Sequence, residues 1–300
     1  MTELIDSLEG LRTRLGTRAT DGEHSTPRRP RVVVMTMGAL HDGHLELVRA
    51  GRAWLGNRGL GPRDAEIVVT VFVNPLQFSD PSDLAKYPRT LDDDVALCRS
   101  EGVDVVFAPS VDEMYPDGDP LITVDPGVLG ETLEGISRPG HFRGMLTVVN
   151  RLLMVTAPTA AMFGEKDYQQ LALIRRMVAD LLIPTHIVGV PTVREADGLA
   201  MSSRNRRLSA RDRAAAIAVP QSLERVRAAL ESGASAEFAA DDASRWLAAQ
   251  PLVDEVDYLA VRSTQFEAPP RAGEARALVA AVVGGVRLID NVRVTIPQAR

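Results

Sequence analysis

RVVVMTMGALHDGHLELV, residues 31–48, decides how this chain is read. Val32-Val33-Val34-Met35 is a short β-branched run. Leu45, Leu47, Val48, Trp54 and Leu55 then follow at helical spacing, so the stretch reads as strand, loop, helix. Gly38 and Gly43 permit a backbone approach that a side chain would block. The start of the helix offers unpaired N–H groups and the positive end of a dipole, which suits an anion. His41 and His44 stand at that start. A neutral imidazole can donate to a phosphoryl oxygen, and a protonated one also neutralises charge. Two histidines on a polar loop rim would give the same pattern, so the motif gains force from the strand before it and the helix after it.

The 300 residues allow one large domain or two moderate ones. With 45% hydrophobic and 25% charged residues, the composition is that of an ordinary globular protein. A net charge of −6 argues against a general nucleic-acid surface. Cys98 is the single cysteine, which excludes an intrachain disulfide, and its helical-looking surroundings predict a buried structural thiol. No apolar signal core opens the chain and no run reaches membrane-spanning length, which predicts a cytoplasmic protein with no membrane partner.

Working outward, residues 2–15 carry Leu4, Ile5, Leu8, Leu11 and Leu15, the spacing of an amphipathic helix. Residues 17–31, rich in Arg and Pro, and 56–63, rich in Gly and Arg, predict loops. Ile67–Val73 predicts a second buried strand, ended by Pro75, which places Asn74 and Gln77 on the loop at its carboxyl end. Ligands bind at that edge of open α/β sheets. Thr90 is a candidate N-cap before Asp92-Asp93-Asp94, acids that complement a helix dipole. Val103–Ala108 predicts a third strand, and Leu121–Val124 a short one. Arg138 and His141 precede an apolar helix over Met145–Val155 and could serve an anion or the loop itself. Ala160–Phe163 predicts another strand, followed by Gly164-Glu165-Lys166-Asp167-Tyr168-Gln169-Gln170 and a helix. A lysine beside a helix start opposes the dipole, and a bound polyphosphate would reverse that penalty. Asp167 can take a ribose hydroxyl, and Gln170 lies one turn on. The alternation of strand and helix ends after Thr185–Val190. Met201-Ser202-Ser203-Arg204-Asn205 then offers two hydroxyls and a guanidinium suited to a triphosphate. Two helices (Ala210–Ser232, Ala236–Ala249) and three strands with a Gly284-Gly285 hairpin signal complete a small α+β unit.

The HxGH segment resembles that of the nucleotidyltransferase superfamily that includes class I aminoacyl-tRNA synthetases. Within it, four stretches in order (TMGALHDGH, FVNPLQF, FGEKDYQQ and MSSRN) resemble the pantothenate synthetase family, also called pantoate–β-alanine ligases. Met35 stands where that family usually has proline. The resemblance runs from about Met1 to Val294. It implies a Rossmann-like doubly wound parallel sheet over 1–190, binding ATP and pantoate, and a smaller C-terminal α+β lid domain over 191–300. It implies ligation of pantoate and β-alanine through a pantoyl-adenylate, with AMP and pyrophosphate released. It assigns catalysis to His44, His41 and Lys166, and ATP binding to Met37, Gly43, Gly164, Asp167, Val193, Ser202, Ser203 and Arg204. Substrate binding falls to Asn74, Gln77 and Gln170, and a Mg²⁺ contact to Asp93. It also implies a homodimer. A dinucleotide-forming nucleotidyltransferase, a tRNA-aminoacylating enzyme and a catalytically silent nucleotide-binding protein are the competing readings. The two glutamines, the acidic charge without an evident tRNA-binding domain, and the full set of phosphate ligands weigh against them in turn.

Overall fold

A computed structural model describes residues 2–16, 29–78 and 84–298. Most of the 17–31 loop expected from the sequence lies outside these residues. Contacts divide the chain into two units, one of Met1–Gly164 with Leu173–Val190, the other of Glu165–Ala172 with Pro191–Arg300. The second unit thus begins earlier than a single cut after Val190 would place it, because the turn after Gly164 groups with the C-terminal segment.

In the first unit the strands are β1 (Glu3–Ile5), β2 (Arg31–Thr36), β3 (Glu66–Val71), β4 (Val105–Phe107), β5 (Ala160–Gly164) and β6 (His186–Val190). They form a parallel sheet in the order β1-β4-β3-β2-β5-β6. The crossover helices α1 (Leu8–Leu15), α2 (Asp42–Gly56), α3 (Leu91–Ser100), α4 (His141–Thr156) and α5 (Tyr168–Asp180) explain the strand sequences. A parallel strand covered on both faces is apolar at every position. Val32, Val33 and Val34 accordingly are all fully buried. From β2 the chain builds through β3 to β4, then returns to the other side of β2 as β5. That reversal is the topological switch point of a doubly wound sheet, beside which ligands bind. The HxGH loop leaves the carboxyl end of β2, and Gly164 ends β5.

The second unit packs an antiparallel sheet of β7 (Val253–Ser263), β8 (Gly273–Val283) and β9 (Val286–Ile296) against helices. These are α6 (Ala210–Ala216), α7 (Ala218–Glu231) and α8 (Ala236–Ala248). Leu223, Val226 and Leu230 of α7 meet Ala243 and Leu247 of α8 and the buried β8 alanines. Gly284 and Gly285, at φ 55° and 74°, turn the β8–β9 hairpin with the positive φ values that two-residue turns of this kind need.

Three expectations are corrected. Residues 2–15 are not one helix: Glu3–Ile5 pairs with β4, and the helix starts only after Ser7, whose hydroxyl accepts from Gly10 N. Leu121–Val124 forms no strand, and Leu121 and Ile122 stand in the open with no ladder to join. The helix expected over Ala210–Ser232 is broken at Ile217, since Pro220 has no N–H to give to the Ala216 carbonyl. Cys98 is buried as expected.

Candidate active site

His41 is the N-cap of α2, extended at φ −143° and ψ 173°. Its Nδ1 accepts from Gly43 N at 3.1 Å, and His44 Nδ1 accepts from His41 N at 3.3 Å. The two rings lie 4.1 Å apart. With Nδ1 accepting in both rings, the proton of each neutral imidazole sits on Nε2. The helix start therefore carries two Nε2–H donors whose tautomers are set by backbone amides. The loop before it is held from α3. Asp94, 1% exposed, accepts from Ala39 N at 3.0 Å and Leu40 N at 2.8 Å. Ala39 has a left-handed φ of 52°, a conformation that costs an L residue energy and persists only where neighbours fix it. Gly38, at φ 83°, leaves the room Asp94 needs, for a Cβ there would lie 2.9 Å from Asp94 Oδ2. Thr90 does not cap α3 with its side chain; its hydroxyl donates to Asp94 instead. Asp93 is exposed.

The β3 loop is equally specified. Asn74, 1% exposed, donates through Nδ2 to Gly144 O (3.1 Å) and Gln77 Oε1 (3.2 Å), and accepts at Oδ1 from Tyr115 OH (3.0 Å). Burial pushes the Tyr115 phenol up to about 12 against the nearby Arg151 charge, so the hydroxyl remains a donor. Gln77 Nε2 donates to the sulfur of Met37. His141 Nδ1 meets Gln77 O at 3.0 Å and its Nε2 meets Arg138 Nη1 at 3.2 Å. A carbonyl only accepts and a guanidinium only donates, so this ring is the Nδ1–H tautomer. His141 thus serves the loop. Asn74, with both ends of its amide engaged, holds Gln77 in place.

In the second unit Lys166 sits on a single 3₁₀ turn, Glu165–Asp167, rather than on the helix proper. It lines one cavity with Ser202, Arg204, Asn205 and Asp290. Ser202 caps the next 3₁₀ turn, its Oγ accepting from Arg204 N at 3.3 Å. Asn205, 6% exposed, donates to Ala200 O at 3.0 Å and Glu195 Oε1 at 2.6 Å. Glu195 in turn pairs with Arg213. Val193 O accepts from Met201 N at 2.9 Å, which closes the base of the same loop. Asp167 is half exposed, with Lys166 Nζ 3.9 Å from its Oδ1. Gln170 is partly exposed, and a Cβ on Gly164 would meet nothing within 4 Å.

Tyr115, Gly144, Asp94 and Asn291 were not singled out by the sequence. Asp94 alone had a local signal: it lies four residues before Cys98, on the apolar face of α3. Among the described residues no three His, Cys, Asp or Glu side chains converge to hold a metal ion.

A doubly wound sheet with an HxGH helix start beside its switch point, and a lysine, serine and arginine around one cavity, defines a nucleotide-handling α/β enzyme. A family model described as pantoate–β-alanine ligase matches residues 7–293. A pantothenate synthetase of Salinispora arenicola is 54% identical over 98% of both chains. One of Mycobacterium sp. strain KMS is 53% identical over 93% of this chain and 85% of its own. The crystal structure of pantothenate synthetase from Thermus thermophilus has a TM-score of 0.83 and 42% identity, covering 97% of this chain and 98% of its own. A pantoate–β-alanine ligase from Francisella tularensis, complexed with β,γ ATP and β-alanine, has a TM-score of 0.75 and 32% identity over 97% of each chain. The chain belongs to the pantoate–β-alanine ligase family, and it is an enzyme that joins pantoate to β-alanine.

Proposed function

We propose that the ligation runs in two steps on this chain. A pantoate carboxylate oxygen attacks the α-phosphorus of ATP and pyrophosphate departs. The β-alanine amine then attacks the pantoyl carbonyl carbon, the acyl C–O bond breaks, and AMP leaves. The observation that carries this reading is the sharing of one cavity by Lys166, Ser202 and Arg204, a set suited to an anion. A carboxylate needs no base to become a nucleophile. Its difficulty is approach to a triphosphate of like charge, and preorganised cations and N–H donors lower that barrier. His44 and Lys166 stabilise charge developing on the α-phosphate, while His41, Ser202, Ser203 and Arg204 orient the phosphates. Met37, Gly43, Gly164, Asp167 and Val193 seat the nucleoside. Gln77 and Gln170 hold pantoate through neutral amides that leave its carboxylate nucleophilic, with Asn74 fixing Gln77.

Mg²⁺ enters this reading as charge carried with ATP: it would neutralise the departing phosphates. The donor set fits only that mode, since Asp94 is committed to backbone amides and Asp93 offers one exposed carboxylate. Mg²⁺ commonly binds one or two carboxylates with substrate phosphates and water. The reading also includes a second copy of the chain. Leu121, Ile122, Val128 and Ile136 are each exposed, apolar side chains of the kind a homodimer would cover. Sedimentation as a monomer at micromolar concentration would contradict it. Among the described residues no helix is long and apolar enough to cross a membrane, and we place the reaction in the cytoplasm, where ATP is supplied.

The test is pantoate-dependent AMP release, with pantothenate identified by mass, using pantoate labelled with ¹⁸O in its carboxylate. One labelled oxygen in the AMP supports the acyl-adenylate. Unlabelled AMP, with label in inorganic phosphate or nowhere, contradicts it.

A further inference from the structure

We infer that Asn291 and Arg276, on β9 and β8, are positioning residues for Lys166; this rests on the phosphate role given to Lys166 above. Asn291 is 3% exposed and Arg276 6%. The amide nitrogen of Asn291 donates both hydrogens to successive backbone carbonyls, Glu165 O at 2.9 Å and Lys166 O at 2.8 Å. Its oxygen accepts from Arg276 Nη1 at 3.1 Å. Arg276 can only donate and the two carbonyls can only accept, so the amide has one permitted orientation. Arg276 is fixed in turn: Nη2 donates to Glu165 Oε2 at 2.9 Å, and the guanidinium lies 4.1 Å from the centre of the Tyr168 ring.

The consequence falls on Lys166. Its preceding and following peptide planes each have their carbonyl pinned by the same amide, and that sets its φ and ψ. The direction in which its Cβ leaves the backbone follows. A lysine side chain is long and rotamer-rich, so the only part of its placement the fold can set cheaply is its root. The turn has too few residues to set that root by itself. Nor is this arrangement a good stabiliser. Arg276 Nε is buried without a hydrogen-bond partner, and a buried ion pair is often matched or bettered by apolar side chains of similar volume. What the network supplies is geometry, delivered from more than a hundred residues away to the one cation on the Glu165–Asp167 turn.

The experiment is a double-mutant cycle on pantoate-dependent exchange of pyrophosphate into ATP, using Asn291→Leu, Lys166→Ala and the pair, with thermal melts of each. Asn291→Leu keeps the branching and number of side-chain heavy atoms and removes all three hydrogen bonds. Glu165→Ala, which loosens the same network at its less buried end, serves in the same cycle if the Leu variant does not fold. We expect Asn291→Leu to slow exchange by roughly 10–10²-fold in the otherwise native enzyme, the scale for a misplaced catalytic group. In the Lys166→Ala background the same change should cost less than about threefold, because contacts acting through one residue are not additive. The KM for pantoate should not move. Equal losses in both backgrounds overturn the inference and leave Asn291 merely structural, as does an unchanged rate in the native background. If Lys166→Ala alone leaves exchange intact, the role given to Lys166 is what fails.

Discussion

Each histidine of the HxGH loop presents one donor because the backbone has taken the other nitrogen. A donor fixed before the substrate arrives needs no reorganisation when charge develops, which is how such groups lower a barrier. Removal of any one of His44, His41 or Lys166 by alanine substitution should therefore slow adenylate formation by roughly 10²–10³-fold. Single-turnover measurement with pantoate and ATP checks this, and near-native rates in all three would remove the charge-stabilisation argument. Asp94 calls for a different expectation. Asparagine in its place would turn an NH₂ group toward one of the two amides it now accepts. That leaves a buried donor unmatched at a cost of about 1–3 kcal/mol. Asp94→Asn should lower the melting temperature and the rate together, because the left-handed Ala39 loses its restraint. Asp93→Asn should leave the melt unchanged and raise the Mg²⁺ concentration needed for half-maximal rate. If the two variants behaved alike, the distinction drawn between neighbouring aspartates would be wrong. The resemblance pointed to Asp93, and nothing local set Asp94 apart, because three consecutive acids at a helix start look equivalent until the phase of the helix is known. That phase turns Asp94 inward with Val95 and Cys98.

Among the elements, what the sequence made legible was local. β2, β3 and β5 announced themselves as apolar runs, and the polar residues that follow β2 and β3 (His41, Asn74) lie on the loops at the carboxyl ends of those strands. What stayed hidden comes from far along the chain. Asn74 meets Tyr115 across 41 positions and Gly144 across 70, and no pattern within either segment records the other. Short elements were misread for a related reason. The three-residue strand β1 exists because β4 offers it a ladder, and Leu4 and Ile5 fit a helical period equally well. Gly144 shows how an element sets the site. Its absent side chain lets α4 lie against the loop that carries Gln77, and a Cβ there would sit 2.1 Å from Leu76 O and 2.8 Å from Gln77 N. Gly144→Ala must push that loop away or strain the helix, a cost of about 1–3 kcal/mol. The pantoate KM should rise markedly while the KM for ATP stays within about twofold, the signature of lost substrate binding at one subsite. An equal rise in both would mean that the loop moves as part of a wider collapse.

At the scale of the fold, the two ends of the first unit's strands are built differently. At the amino ends of its strands Arg31 and Glu66, each 2% exposed and opposite one another in register, form a buried pair that also binds Leu15 O and Arg14. At the carboxyl ends lie the loops described above. A thiol and a phenol buried within this unit give its stability a sign with pH. Cys98 is pushed up to about 12 by burial with the Asp94 charge adding to it, and Tyr115 to about 12 by burial, from ordinary values of 9.0 and 10.0. Between the ordinary and the raised value the unfolded chain has lost the proton and the folded chain keeps it. The unfolded state then binds fewer protons, so stability falls as pH rises. The slope per group is about 1.4 kcal/mol per pH unit. Urea unfolding followed from pH 8 to pH 11 should show loss beginning near pH 9 with Cys98 and steepening near pH 10 as Tyr115 joins. Cys98→Ala should flatten the first part of the curve and Tyr115→Phe the second, whatever each does to stability at neutral pH. A native profile that stays level to pH 11 would mean that neither group is shielded in the folded state, and that the Tyr115 hydroxyl does not hold Asn74 in the closed environment described here.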